Sequence, residues 1–426
     1  MPPSSRHSSP SPQSALRRSG RILLHAPLAR TPVAAARLRW FLERTLERVA
    51  REAPDAVAVD LIGSLARGEG TVLELGERPL VLSDLDLAVV LPDGRSRERA
   101  APRLARASLA LASDFATWDF LGAVDLGAYA VADLPRQAAR PGTLEWARSG
   151  VTLAGDAELR ARVPVHLPAA IPFEEILRLL ENRLLELLAA HAGATSDRRR
   201  LWAAVYAGGK GVLDAALARL LMAGECPVGV EERSRVYAQG PRGDAAPSAE
   251  SVGFWTTFKL TPTAASVAGR YGAHLGLGEW AEGAWCEGGR ALLAAYHDIV
   301  VTHWPAADGA WLARAAGRAR HRRRIRRALD AWRENRRRGL AWGRLGNVGR
   351  FAQMGAPEHV LGAAAAQLVA EAVGESAGTG GLPGLSKIGG FVAQAAAAPW
   401  EERRRQAVLA WDRWVLRGTR TGGGVS

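Results

Sequence analysis

Cysteine is scarce in this chain of 426 residues, which contains only Cys226 and Cys286. The two are far apart and belong to no pattern with metal-ligand spacing. No apolar run reaches the roughly 18 residues that span a bilayer, so no transmembrane segment is expected. Residues 22–28 are apolar but are interrupted by His25 and Pro27, and no signal peptide is expected. Together these absences favour a reduced, cytoplasmic protein.

Positive charge is abundant but unevenly distributed, with a formal net charge of +13 at pH 7. Residues 1–30 contain five arginines and no acidic residue, with many serines and prolines, which is typical of a disordered basic arm. The segment Arg314–Arg338 contains 12 arginines and two acidic residues, with apolar side chains at helical spacing. We interpret it as a helix whose arginine face binds an anionic partner, either a nucleic acid or another acidic surface. The rest of the chain is close to neutral.

The length of the chain predicts more than one domain. Alternation of strand-like and helical patterns indicates an α/β (α+β) domain with a mixed sheet over residues 31–163. After the prolines at 164 and 168, the pattern becomes helical and predicts an α-helical domain over 170–305. Residues 306–426 are interpreted as a basic, Ala-rich and mostly helical C-terminal region, and residues 1–30 as the basic arm.

Two apolar runs frame the most informative stretch of the sequence. Val57–Ile62 and Leu85–Leu91 each have the length and β-branched content of a strand. The first run is followed directly by Gly63 and Ser64. Glycine lets the backbone come close to a ligand, and serine offers a hydroxyl and an amide to a phosphate. The pair therefore predicts a phosphate-binding turn after the first strand.

Two aspartates stand at the start of the second run, in the order Asp84-Leu85-Asp86. Because side chains alternate along a strand, Asp84 and Asp86 are expected on one face, about 6–7 Å apart along the chain. Carboxylates placed in this way repel each other unless a cation lies between them. Oxygen ligands alone favour a hard ion such as Mg²⁺, which is commonly shared with substrate phosphates.

The Gly63-Ser64 pair followed by Asp84-Leu85-Asp86 resembles the signature of the nucleotidyltransferase superfamily, which includes DNA polymerase β, the antibiotic nucleotidyltransferases and the poly(A)-adding enzymes. The interval between the two parts is longer here than is usual in the family, so Thr71–Leu82 is predicted to be an insertion. The resemblance implies that residues 31–163 form a catalytic domain with a DNA polymerase β-like fold.

The family has a third acidic residue on a strand beside the Asp-x-Asp strand, where it acts as the base toward the acceptor hydroxyl. Asp125, which lies between two apolar residues of a predicted strand, matches this position. Asp119 and Asp133 are competing candidates, and a structural role at the strand end is the alternative for Asp125. The resemblance implies that Asp84, Asp86 and Asp125 together hold two Mg²⁺ ions.

Two basic residues are candidates for binding the nucleotide. Arg67 follows Ser64 by one helical turn and is predicted to contact a phosphate, with simple solvent exposure as the alternative. Lys210 stands among three glycines within a predicted helix, Arg199–Ala223. It resembles a lysine that often reaches the triphosphate from a helix of the family's second domain, and a solvated surface lysine is the alternative. Glycines weaken a helix, and this cost is explained if the backbone must come close to another group. We therefore interpret the three glycines as marking such a close approach.

The resemblance implies transfer of a nucleoside monophosphate from an NTP, most simply ATP, to a hydroxyl group of an acceptor, with release of pyrophosphate. A near-neutral core favours a small-molecule acceptor. A nucleic-acid 3′ end, bound by Arg314–Arg338, or a protein side chain are alternatives. From a different class, the chain could be a non-catalytic nucleotide-binding or interaction protein. The presence of all three aspartates argues against this last alternative.

Overall fold

The structure, a computed structural model, describes residues 26–75, 79–240, 246–303, 357–374 and 398–411. Within them the chain is mixed α/β and mostly helical, which confirms the expected mixed character. These residues divide into two compact units. The first contains residues 26–70, Ser83–Ala138 and Gly142–Val165, and the remainder belong to the second.

Much of the positive charge predicted to bind partners falls outside this description. Most of the predicted basic arm, the whole of Arg314–Arg338 and most of the region 306–426 lie outside the described residues. The predictions made for them therefore stay predictions. In the part of the chain that is described, no helix combines the length and the apolar character needed to cross a membrane.

Six strands lie within the described residues. They are β1 (Ala58–Ile62), β2 (Val72–Leu73), β3 (Leu80–Val81), β4 (Leu85–Leu91), β5 (Val124–Ala130) and β6 (Val151–Gly155). Four of them form one mixed sheet in the order β5-β4-β1-β6. Strands β4 and β5 are parallel, whereas β1 is antiparallel to both β4 and β6.

Four α-helices accompany this sheet: α1 (Pro32–Glu52), α2 (Gly63–Ala66), α3 (Gly94–Ala116) and α4 (Pro141–Ser149). Both long helices begin at a side-chain cap. The Oγ1 atom of Thr31 accepts the amide of Ala34 at 3.2 Å, and Oδ1 of Asp93 accepts the amide of Ser96 at 2.8 Å. Such caps satisfy amides that have no partner within the first helical turn, which explains where these helices begin.

The sheet is held by apolar packing on both of its faces. Helix α1 buries the residues predicted to share one face, namely Leu38, Phe41, Leu42, Leu46 and Val49. The Phe41 ring lies 4.7 Å from that of Phe115, which belongs to α3. Elsewhere, Ala88 and Val90 of β4 pack in one cluster with Trp146 of α4. Strand β4 is buried on both faces, and Asp86 is its only residue that is not fully buried. A slip of its register by one residue would turn Asp86 toward the face where Leu85 and Leu87 are buried, so the register is strongly specified.

The described part of the second unit is dominated by helices. They are α5 (Phe173–Ala190), α6 (Arg198–Met222), α7 (Val230–Gln239), α8 (Ala249–Leu260), α9 (Ala264–Tyr271), α10 (Leu277–His303), α11 (Pro357–Ala372) and α12 (Trp400–Trp411). The segment predicted to be an insertion, Thr71–Leu82, contains strands β2 and β3, which pair with each other, and it groups with this unit. Within the unit, Oγ1 of Thr71 donates to the carbonyl oxygen of Lys259 at 2.8 Å.

The glycines around Lys210 allow two helices to cross closely. A Cβ atom at Gly208 of α6 would lie 2.1 Å from the carbonyl oxygen of Ala284 in α10, and one at Gly288 would lie 2.3 Å from the carbonyl oxygen of Gly208. A Cβ atom at Gly209 would meet the ring of Trp255 at 2.3 Å. The close approach expected from the sequence is therefore an approach to protein, and helix packing accounts for these glycines.

This packing predicts opposite effects for two helical Gly→Ala substitutions. Gly208→Ala is expected to lower the free energy of unfolding by about 1–3 kcal/mol, because its methyl group overlaps α10. Gly253→Ala in α8, where a Cβ atom meets nothing within 4 Å, is the matched control. It is expected to raise stability by about 0.5–1 kcal/mol. Urea denaturation measures both, and equal stabilities would contradict the proposed crossing.

Candidate active site

Two of the predicted carboxylates stand side by side in the sheet. Asp86 of β4 is in register with Asp125 of the parallel strand β5. Residues in register on neighbouring strands project from the same face, and the strands lie about 4.8 Å apart. Asp86 is half-buried and Asp125 is exposed. Carboxylates on one face of neighbouring strands repel each other, and a cation bound between them would relieve this repulsion.

Asp84, the remaining predicted carboxylate, lies just before β4 and beside the start of β5. Asp84 precedes β4 by one residue, and its Oδ1 atom accepts the amide of Ala123 at 2.8 Å. The amide of Leu85 in turn donates to the carbonyl oxygen of Ala123, also at 2.8 Å. One oxygen of Asp84 therefore helps to fix the start of β5 beside β4.

The Gly-Ser turn comes directly against the carboxylate of Asp86. Gly63 has a φ of +70°, a left-handed backbone conformation that favours glycine. A Cβ atom at this position would lie 2.8 Å from Oδ2 of Asp86. The backbone conformation therefore favours glycine, and a side chain here would have to displace the Asp86 carboxylate. The structure brings the two predicted motifs together.

Of the three acids considered for the third position, only Asp125 is in register with Asp86. Asp133 lies beyond the other end of β5, where its Oδ2 atom accepts from Nη1 of Arg97 at 2.6 Å. Asp119 lies before β5 in a left-handed conformation, with a φ of 59°. This geometry favours Asp125.

Arg67 is buried in ion pairs instead of being exposed to solvent. Its side chain is 8% exposed, and its Nε atom donates to Oε2 of Glu69 at 2.9 Å. Its Nη1 atom lies 3.1 Å from Oε2 of Glu145 in α4. The predicted contact of Arg67 with a phosphate stays a prediction.

Lys210 belongs to the second unit, in helix α6. Its Nζ atom lies 3.7 Å from Oε2 of Glu186 and 5.6 Å from the centre of the Tyr206 ring. Its side chain is 17% exposed, so it is not a fully solvated surface lysine. The predicted contact of Lys210 with a triphosphate stays a prediction.

The chemistry of the acidic side chains suits magnesium. Among the described residues, no three His, Cys, Asp or Glu side chains are arranged to hold a metal ion. The pair formed by Asp86 and Asp125 nevertheless offers oxygen ligands on one face, beside a glycine that leaves room at Asp86. Magnesium is commonly held by one or two carboxylates together with substrate phosphates, so a carboxylate pair is sufficient.

A buried carboxylate that the sequence interpretation missed lies on the same face of the sheet. Asp60 of β1 is 1% exposed and accepts hydrogen bonds from Nε1 of Trp146 at 2.8 Å and Oγ1 of Thr152 at 2.7 Å. Burial raises the pKa of this carboxyl, while the two hydrogen bonds and the charge of Arg160 act in the opposite direction. The available signal was an acidic residue in the middle of an apolar strand.

The raised pKa of Asp60 predicts a specific dependence of stability on pH. The folded state holds this proton more tightly than the unfolded chain, whose carboxyl has the ordinary pKa of 3.8. The stabilising contribution is fully present below that pH and is lost as pH rises through the raised pKa. Asp60→Asn removes this titration, so stability should fall less with rising pH in the variant. Urea denaturation at a series of pH values measures the free energy of unfolding of the wild type and of Asp60→Asn. The same pH dependence in both proteins would contradict a raised pKa for Asp60.

Comparison of the chain with protein-family models, curated proteins and solved structures found no match. A function can therefore be inferred only from the sequence motifs and from the geometry of the residues described above.

Proposed function

We propose that the first unit is the catalytic domain of a metal-dependent nucleotidyltransferase with a DNA polymerase β-like fold. The observation that carries this proposal is the register of Asp86 with Asp125, together with the contact of Gly63 against the Asp86 carboxylate. A Gly-Ser turn, an Asp-x-Asp strand and a third acid on the strand beside it are the features that the resemblance implies. Their proximity supports the nucleotidyltransferase assignment over a non-catalytic role.

Asp86 and Asp125 are the residues that would hold Mg²⁺, and Asp84, at the start of the same strand pair, would contribute a further carboxylate. When bound, the ion neutralises charge on phosphate oxygens and increases the acidity of an acceptor hydroxyl. The resemblance implies two ions. The described carboxylates fit this chemistry because all their donor atoms are oxygen.

Each residue of the site has a role in the proposed reaction. The turn at Gly63 and Ser64 binds the terminal phosphates of an NTP, most simply ATP. Asp125 accepts the proton of the acceptor hydroxyl, whose oxygen then bonds to the α-phosphorus. The bond from that phosphorus to the bridging oxygen breaks, and pyrophosphate leaves with the electron pair. The products are the nucleotidylated acceptor and pyrophosphate.

The position of Asp125 indicates where the acceptor enters. Strand β5 is an edge strand, and Asp125 is exposed, whereas Gly63 follows β1 in the interior of the sheet order. The phosphates therefore lie toward β1 and the acceptor toward the β5 edge. The near-neutral charge of the chain outside its two basic segments favours a small hydroxyl-bearing molecule over a polyanion. A nucleic-acid 3′ end or a protein side chain stay alternatives, because Arg314–Arg338 lies outside the described residues.

The substitution Asp86→Asn tests the proposed function directly. It preserves the shape of the side chain and removes the charge that would bind the ion, so the fold should be retained. Transfer should fall at least about 100-fold, since metal stabilisation of the transition state contributes several kcal/mol. The measurement is Mg²⁺-dependent release of pyrophosphate from each of the four NTPs with a panel of hydroxyl acceptors, followed by mass spectrometry of the products.

The matched control is Asp114→Asn, which removes an exposed carboxylate from α3 and should leave turnover unchanged. Turnover of Asp86→Asn close to that of the wild type would exclude Asp86 as a metal ligand. Absence of Mg²⁺-dependent NTP binding by the wild type in a thermal-shift screen would exclude the proposed function itself.

A further inference from the structure

The segment that follows the Gly-Ser turn is fixed by backbone hydrogen bonds at several points. The carbonyl oxygen of Ser64 accepts the amides of Arg67 at 3.1 Å and Glu69 at 2.9 Å. The amide of Gly70 donates to the carbonyl oxygen of Leu28 at 2.8 Å, and Leu28 is fully buried. The turn is therefore continuous with a compact, buried segment, and its position depends on how that segment is held.

Side chains hold the same segment through Arg67. The guanidinium group lies between the carboxylates of Glu69 and Glu145, whose side chains are 5% and 20% exposed. Glu69 is two residues from Arg67, so their pair is local. Glu145 is supplied by α4, so only the second pair connects the segment to another element. Removing one partner of such a pair destabilises the fold, because the other charge is then buried without compensation.

Helix α4 is itself fixed to the sheet by Trp146, the residue that follows Glu145. Trp146 is 2% exposed, donates its Nε1 hydrogen to Asp60 and packs against the ring of Tyr129 at 4.8 Å. Glu145 is therefore presented from a helix that is anchored on β1 and β5. An anchored carboxylate can hold Arg67, and through it the segment 64–70, in one place.

We propose that Glu145 is a positioning residue of the active site, which holds the phosphate-binding turn through Arg67. Arg67 then orients Gly63 and Ser64 and does not itself bind the triphosphate. This inference rests on the proposed function, because it assigns the turn to the NTP. It is favoured by the contacts of Arg67, whose side chain is only 8% exposed and is already paired with two carboxylates.

The two possible roles of Arg67 predict opposite responses to Glu145→Gln. If Arg67 positions the turn, loss of the Glu145 charge should weaken Mg²⁺–ATP binding by about tenfold, as is typical for partners that support a ligand-binding group. If Arg67 contacts phosphate directly, release from Glu145 should leave binding unchanged or make it tighter. Isothermal titration calorimetry of the wild type and Glu145→Gln with Mg²⁺–ATP distinguishes the two roles. Unchanged or tighter binding by Glu145→Gln would overturn the proposal.

Arg67→Lys provides a second variant. Lysine keeps the charge for a phosphate but cannot bridge two carboxylates as a guanidinium does. It should therefore weaken binding as much as Glu145→Gln does, and wild-type affinity would overturn the proposal. The matched control is Glu47→Gln, which breaks an exposed ion pair with Arg44 in α1 and should leave binding unchanged.

Amide hydrogen exchange without nucleotide separates this inference from the proposed function. Glu145→Gln should increase exchange severalfold at the amides of residues 64–70, and Glu47→Gln should not. If the wild type binds no NTP, the proposed function fails, while increased exchange would still show that Glu145 holds the turn. Unchanged exchange in Glu145→Gln would overturn the positioning role whatever the binding result.

Discussion

Repulsion between two carboxylates on adjacent parallel strands is the constraint on which this site depends. The register that pairs Asp86 with Asp125 is specified because a slip of β4 by one position would turn the Asp86 carboxylate into the opposite, apolar face of the sheet. The fold therefore holds two like charges together, and this arrangement favours a cation at the site. Gly63 lies against this pair: its positive φ favours glycine, and a Cβ atom there would displace the Asp86 carboxylate.

The face of the sheet that carries these acids is supported by helix α4. Two consecutive residues of this short helix make different polar anchors: Glu145 to Arg67 and Trp146 to Asp60. Each anchor gives a buried polar or charged group its partner, and losing that partner is costly. Because both anchors come from one short helix, α4 connects the segment after the turn to the strands of the sheet.

Much of this arrangement could be predicted from local sequence patterns. The apolar stripe of α1, the strands that flank Gly63 and the placement of Asp125 beside the Asp-x-Asp strand follow from periodicity and from the resemblance. Contacts between distant residues could not be predicted in this way. Asp60 finds its partners 86 and 92 residues along the chain, and nothing near Asp60 in the sequence identifies them. The glycine at 208 likewise indicated a close approach, but its partner, α10, is distant in sequence.

The central claim is that Asp86 and Asp125 act on one bound ion, and a double-mutant cycle on Mg²⁺–ATP affinity tests it most directly. Affinities are measured for the wild type, Asp86→Asn, Asp125→Asn and the double variant. If both carboxylates hold the same ion, each single substitution should remove most of the Mg²⁺-dependent binding, and the double variant should lose little more. Independent, additive losses, or binding that survives in the double variant, would contradict the account.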